Sequence, residues 1–430
     1  MKKWPVWILL MASGTAGAQS FDFGGGPVAS GYTKVTPETL YDSTRGYGFL
    51  PGTPITGLFA VRKRNDFVTA AAPFYFSVNL PEGNYDVELL LGDEKGASQT
   101  TVKVENRRLM LEDIRTPNRK LVRKKMTVNV RTPNLPNGGK VILKPREKAY
   151  RHWDGQLTFE FSGELPKVAA LKIRPNKKAV TVFLTGNSTV VDQPYEPFAA
   201  WGQMIPRFFE PGKIAVANHA ESGESLTSFL ASKRWEKVLG LVRPGDYVFI
   251  EFAHNDQKQK DLRPFVEYAG LLKRYIQDVR AKGGNPVLVT SMHRRKFDAA
   301  GHIENTLGDF PEAMRKTAGE EHVPLIDLNA MSKQLWEALG PEVSLKAFVH
   351  YPPGVLPGRP DGIQDNIHFS NYGAYLLAQC VVKGIREVVP ELARNLVSDV
   401  QAIDPTRPML PEQFHLAASP LVDPSRPDGN

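Results

Sequence analysis

Near residue 179 the texture of the chain changes, and that change limits the folds open to it more than any other feature. From Phe21 to about Lys178, short alternating segments rich in β-branched and aromatic residues are separated by turn formers. Strands are expected at Phe74–Leu80, Tyr85–Leu91, Thr100–Val104, Met126–Val130, Gly139–Leu143, Leu157–Phe161 and Ala169–Ile173. Turns such as Pro81-Glu82-Gly83-Asn84 divide them, and the spacing predicts an all-β sandwich over residues 19–175. Arg174 to Lys178 is polar, contains Pro175, and reads as a linker.

Over 179–398 strand-like segments alternate with longer helical patterns. The expected strands are Val180–Leu184, Ile214–Ala217, Asp246–Phe252, Pro286–Thr290 and Pro324–Leu328. Helical stretches near Pro197–Phe209, Leu226–Leu241, Arg263–Lys282 and Asp309–Glu321 can return the chain to start each parallel neighbour, and a last helix runs from Asn371 towards Val397. The fold class is therefore α/β, a three-layer α/β/α sandwich on a five-stranded parallel sheet, preceded by the β sandwich. The proline-rich tail, 399–430, is expected to be loosely ordered.

Ligands of such sheets sit beyond the carboxyl ends of the strands, so the residues just after each strand deserve inspection first. The first strand runs into Gly186-Asn187-Ser188-Thr189, which places a hydroxyl at a strand-to-helix turn; a helix cap would use the same residue. Gly223 follows the second strand and permits close backbone approach, as an ordinary turn glycine also would. Asn255 follows the third, where its amide can donate to a developing oxyanion or simply form a turn. Asp365-x-x-His368 precedes the last helix, a spacing at which the carboxylate can hold the imidazole while the other ring nitrogen faces a nucleophile. All of these fall at one end of the sheet, and their joint occurrence there carries a weight that no single one of them has alone.

Composition narrows the setting. Met1 to Ala18 has two lysines, an apolar stretch from Trp4 to Ala12 and small residues at 16 and 18, as an export signal with an A-x-A cleavage site does. No other apolar run approaches the ~20 residues of a bilayer-spanning helix, so a periplasmic or secreted protein with no membrane partner is expected. Cys380 is the only cysteine, which excludes intramolecular disulfides and two-cysteine zinc sites. The net charge of +8 is concentrated in residues 101–150, with 14 Lys plus Arg against 4 Asp plus Glu. That segment is either a solvated sheet face or an attraction for an acidic polysaccharide. No zinc-finger or RNA-binding signature points to nucleic acid.

In this order the blocks resemble the SGNH, or GDSL-type, hydrolases. Asn218-His219-Ala220 with Gly223-x-Ser225, Phe252-Ala253-His254-Asn255-Asp256 and Asn305-Thr306-Leu307-Gly308-Asp309-Phe310-Pro311 resemble the rhamnogalacturonan acetylesterase branch, whose bacterial members carry a similar N-terminal, galactose-binding-like sandwich. The resemblance implies a flavodoxin-like sheet and a triad of Ser188 as nucleophile, His368 as general base and acid, and Asp365 as its orienting carboxylate. It further implies an oxyanion hole of the Ser188 and Gly223 N–H groups with the Asn255 side chain, and neither metal nor other cofactor. Asn187 stands where the family usually has aspartate, Ala253 where glycine is common, and Glu224 where arginine is frequent.

The reading that follows is a serine esterase deacetylating a plant cell-wall polysaccharide, acetylated rhamnogalacturonan or pectin first. Asn187, His254, Gln257, Lys258 and Arg294 are expected to hold the polymer. A xylan deacetylase, a pectin methylesterase and a broad carboxylesterase are alternatives within the class. A non-catalytic polysaccharide-binding protein is the alternative outside it. Tyr150 and Trp153 of the β domain are read as packing rather than sugar contacts, and the sequence is silent on oligomeric state.

Overall fold

The computed structural model describes residues 17–57, 66–399 and 403–429. Apart from Gly17 and Ala18, the expected export signal lies outside the described residues. Among the described residues no helix is long and apolar enough to cross a membrane.

Two sheets form the N-terminal lobe. One pairs Gln19–Phe23 with Lys167–Pro175, so the first and last strands of the lobe are neighbours, and continues through Gly83–Asp93 to Lys120–Val130. The other is the antiparallel order Tyr47–Phe49, Phe74–Asn79, Gln156–Ser162, Ser98–Val104, Arg108–Thr116. Alternate residues of both sheets meet in one core, where Phe21, Phe23, Phe49 and Phe76 pack at tilted or edge-to-face angles.

The second lobe is an α/β/α sandwich. Its parallel sheet has the spatial order Ile214–Asn218, Val180–Thr185, Tyr247–Ile250, Asn285–Val289, Leu325–Ile326. Both faces are covered, which is why these strands read as nearly continuous apolar runs. Val182, Leu184, Phe249, Val287 and Val289 face the last helix, Asn371–Val388, and Trp336. Phe183, Val248, Ile250 and Leu288 face the opposite layer, which holds the helices Ala269–Ala281 and Phe310–Glu321. The strand order reverses between Val180–Thr185 and Tyr247–Ile250, and the switch point opens a crevice at their carboxyl ends.

Several expected elements differ. Gly139–Leu143 is not a strand: Pro133 and Pro136 interrupt pairing, and the Ile142 N–H instead donates to Ser232 O on the other lobe. The helix expected over Leu226–Leu241 is two, Leu226–Ala231 and Arg234–Leu241, with Lys233 between them at φ +62°. The last helix stops at Val388, because Pro390 cannot donate back into it. A helix at Leu328–Val343, kinked at Gly340, and a hairpin of Phe348–Tyr351 with Ile363–Phe369 were not anticipated.

Two further corrections concern the tail and the basic segment. Residues 403–429 are not loose. Phe414 and Leu416 pack on the second lobe's core, Lys103 Nζ donates to Ala417 O (2.6 Å), and buried Ser419 bonds Glu160 (2.7 Å). The chain then pairs with Glu196 through Leu421 and Asp423. Arg119, Lys120, Arg123 and Lys125 are exposed as a solvated face would have them. Other cations of residues 101–150 are buried at the lobe junction, where Arg107 meets Glu196 (2.6 Å) and Arg108 meets Asp192 (2.8 Å).

Candidate active site

The turn after Val180–Thr185 is built around Gly186, where a Cβ would lie 2.6 Å from the Val190 side chain and 2.9 Å from Glu251 O. Asn187 then closes the turn: its carbonyl accepts from the Val190 and Val191 N–H groups, and Oδ1 accepts from Thr189 N (3.1 Å) and Thr189 Oγ1 (2.9 Å). Thr189 Oγ1 also lies 3.1 Å from Glu251 Oε2. A hydroxyl has one proton, so with that proton on Asn187 the Glu251 contact needs a protonated carboxyl. Burial pushes Glu251 up to about 7, against the hydrogen bonds that Ser291 and Trp201 donate to it.

Ser188 emerges from this turn and meets a histidine 180 residues away in sequence, Oγ to His368 Nε2 at 2.9 Å. His368 Nδ1 lies 2.9 Å from Asp365 Oδ2. Both partners sit on the strand Ile363–Phe369, whose pairing shifts register between Asp365 and Phe369. The resulting bulge folds the Ile367 and His368 N–H groups onto Asp365 Oδ1 (2.8 and 2.9 Å), an Asx-type turn that fixes the carboxylate and aims the ring. Burial works to raise the Asp365 pKa, but the His368 hydrogen bond and charge outweigh it and hold the group down at about 2. Phe198 stands edge-on to the imidazole at 5.9 Å.

Three groups were expected to form the oxyanion hole. Among the described residues the Ser188 and Gly223 N–H groups have no acceptor, and Gly223 holds φ +82°, a conformation that favours glycine. Asn255 Nδ2 donates to Glu224 O (3.0 Å), which orients the amide and leaves its second N–H.

The residues expected to hold substrate divide. Asn187 is fully buried beneath the turn and His254 is buried with Nε2 on Met292 O (3.1 Å), so neither offers a surface to a polymer. Burial, with the charges of Arg294 and His368, lowers the His254 pKa well below the usual imidazole value, so its ring is neutral. Gln257, Lys258 and Arg294 reach solvent; Arg294 is tied to Thr306 O (2.9 Å), and Lys258 donates to Gly429 O.

Other site neighbours carry no local sequence signal. Gln193 Nε2 donates to Ser188 O (3.0 Å), and Arg426 Nε lies 3.8 Å from Asp365 Oδ2. Gln193, Ser222, Tyr150, Arg146 and residues 425–428 line a cleft of about 290 Å³ between the lobes and the tail. A larger cavity, about 400 Å³, lies at the opposite end of the sheet around Asn84, Asn129 and Arg243, away from the hydroxyl. Among the described residues, Glu147, His152 and Glu221 bring carboxylate and imidazole atoms within 4.8 Å of one another as a metal site would. Arg234 and Arg146 already engage the two carboxylates at 2.5 and 2.6 Å, so the donor set does not fit a further cation.

Fold and site together define a carboxylic ester hydrolase built on a flavodoxin-like sheet. The chain belongs to the GDSL-like lipase/acylhydrolase family, whose model matches residues 184–375. Residues 19–112 match the galactose-binding-domain-like model of β-agarase/YXIM esterase-like proteins. Rhamnogalacturonan acetylesterase RhgT of Bacillus subtilis (strain 168) is 45% identical over 224 residues, covering 52% of this chain and 96% of the relative. From the same organism, the probable rhamnogalacturonan acetylesterase YesY is 34% identical, over 51% of this chain and 98% of its own. The uncharacterized esterase YxiM, also from that organism, is 25% identical over 90% of this chain and 98% of its own.

Proposed function

We propose that the protein removes acetyl groups from a pectic polysaccharide, acetylated rhamnogalacturonan first, by a serine acyl-enzyme mechanism, and that it works in the periplasm or outside the cell. The hydrogen-bonded chain Ser188–His368–Asp365, 2.9 Å at each link, carries the chemistry. Ser188 Oγ attacks the ester carbonyl as His368 Nε2 takes its proton. The C–O bond to the sugar then breaks, and His368 returns the proton to the leaving hydroxyl. Water, deprotonated by the same imidazole, attacks the acetyl-serine; the acyl carbon–Oγ bond breaks, His368 returns the proton to Ser188 Oγ, and acetate leaves. The N–H groups of Ser188 and Gly223 and the Asn255 amide receive the negative charge of each tetrahedral intermediate.

Asp365 stays ionised and keeps the ring in the tautomer that presents a bare Nε2 to the hydroxyl. The pectic substrate is supported by the 45% identity to a named rhamnogalacturonan acetylesterase over 96% of that relative. Export is supported by the Lys2-Lys3, apolar and Ala16-x-Ala18 pattern.

The test is acetate release from acetylated rhamnogalacturonan and acetylated xylan, beside methanol release from methylated pectin. Rhamnogalacturonan should be the best of the three, and Ser188→Ala should lower kcat on it and on p-nitrophenyl acetate by roughly a thousandfold or more. Equal turnover by wild type and Ser188→Ala would defeat the mechanism and favour a polysaccharide-binding protein.

A further inference from the structure

We propose that Lys144 and Arg146 form a subsite for the carboxylate of a hexuronate unit next to the scissile acetyl ester, and that Asp428 occupies this subsite in the structure. The proposal deepens the polysaccharide reading above and rests on it for the sugar.

Residues 131–150 leave the sandwich and reach across the junction to the hydrolase lobe. There the Lys144 ammonium donates to Ser222 O, and Arg146 Nη2 lies 3.3 Å from the same oxygen and 2.6 Å from Glu221 Oε1. Ser222 immediately precedes Gly223, so two cations of the β lobe bracket the peptide that carries one oxyanion donor. Arg146 Nη1 and Lys144 Nζ also hold the Asp428 carboxylate, the latter at 3.6 Å. A Cβ on Gly223 would stand 2.9 Å from Asp428 Cβ and 3.2 Å from Lys144 Nζ, and one on Gly429 would stand 2.8 Å from Asn255 Oδ1. The tail thus lies over two of the three oxyanion donors.

Charge and exposure fit a replaceable anion. The surrounding wall carries Arg131, Lys144, Arg146 and Arg234 against Glu147, Glu221 and Glu224. Cations outnumber carboxylates there whether or not Glu221 holds a proton, and Asp428 offsets the excess. Asp428 is 51% exposed and Arg146 33%, so their pair is the solvent-screened kind that another carboxylate can displace. A guanidinium with one edge on Glu221 still offers its other edge in the geometry that suits a carboxylate. Half-buried Tyr195 stands in the same region, edge-on to Tyr150 at 6.4 Å between ring centroids, and offers an apolar face for a sugar ring, while Tyr150 itself packs in the small core with Trp153.

The test uses the full chain hydrolysing p-nitrophenyl acetate, with trigalacturonate as inhibitor and neutral galactotriose as control. Trigalacturonate should inhibit competitively and galactotriose should not. Replacing both cations (Lys144→Gln, Arg146→Gln) should raise the inhibition constant about tenfold or more, the loss of charge-assisted hydrogen bonds. Asp428→Asn, at an exposed site, should lower it several-fold by removing the internal competitor. If the double variant does not fold, Lys144→Gln and Asp428→Asn alone still carry the comparison. Equal inhibition by the two trisaccharides, or constants unmoved by these changes, would overturn the subsite. Selective trigalacturonate inhibition without acetate release from rhamnogalacturonan would support the subsite and sink the proposed substrate instead.

Discussion

Asn187 was expected to hold the polymer, and the structure gives it another task. Its amide oxygen caps the turn through Thr189, as a short polar side chain before the serine should, yet it is too deeply buried to touch a polymer. Because the oxygen does the capping, Asn187→Asp should keep kcat on p-nitrophenyl acetate within about tenfold of wild type; loss of all activity would mean that the neutral amide is required. Ser188, Asp365 and His368 were legible because a hydroxyl just after the first parallel strand and a D-x-x-H spacing just before the last helix have few other uses there. Arg146 and Asp428 were not legible. Their contact spans 282 residues, and neither belongs to a periodic pattern or a motif.

At the scale of elements, the parallel strands were readable because burial on both faces leaves a nearly unbroken apolar run. The hairpin that carries Asp365 and His368 was missed, since its bulge breaks the alternation by which strands are recognised. The helix Leu328–Val343 was hidden by a strand reading that ran through Leu328, where Asp327 instead caps a helix by accepting from Ala330 N (3.2 Å). The last helix starts two residues after Phe369 and is seated by Gly373, whose Cβ position lies 1.9 Å from Ala347 O. Gly373→Ala must therefore push the helix off the turn ending at Ala347, which leads into Phe348–Tyr351, the strand paired with the one that holds the catalytic pair. A loss of roughly 2–3 kcal/mol is expected, as for overpacking elsewhere. Urea unfolding should give a lower midpoint at unchanged slope, with a drop in kcat as His368 shifts.

For the molecule as a whole, buried carboxyls set the response to pH. Burial raises Glu251 and Asp256 to about 7, and burial together with Glu147 does the same to Glu221. The folded protein therefore holds protons that the unfolded chain releases near 4.5 or 3.8. Stability from these groups is complete below that range and lost as pH rises through about 7. Asp365 has the opposite sign, contributing above 3.8 and failing only as pH falls towards 2. Buried His152, His219 and His254, held neutral by burial, oppose this trend below their ordinary value of 6.5. Thermal melting should thus fall only above that value, towards pH ~8, and less steeply in Glu251→Gln; a melting temperature that rises there would contradict it. The two-lobe plan followed from the change of texture at residue 179. The junction did not, because its ion pairs join positions far apart in sequence, such as Arg108 and Asp192.

Residues 427–429 have a practical bearing on how the protein is handled. With Gly429 resting against the Asn255 amide, a bulky or charged replacement there would crowd the expected oxyanion donors. Its bulk and charge would then alter turnover, whereas the same change at Gln19 would fall on the first strand of the sandwich.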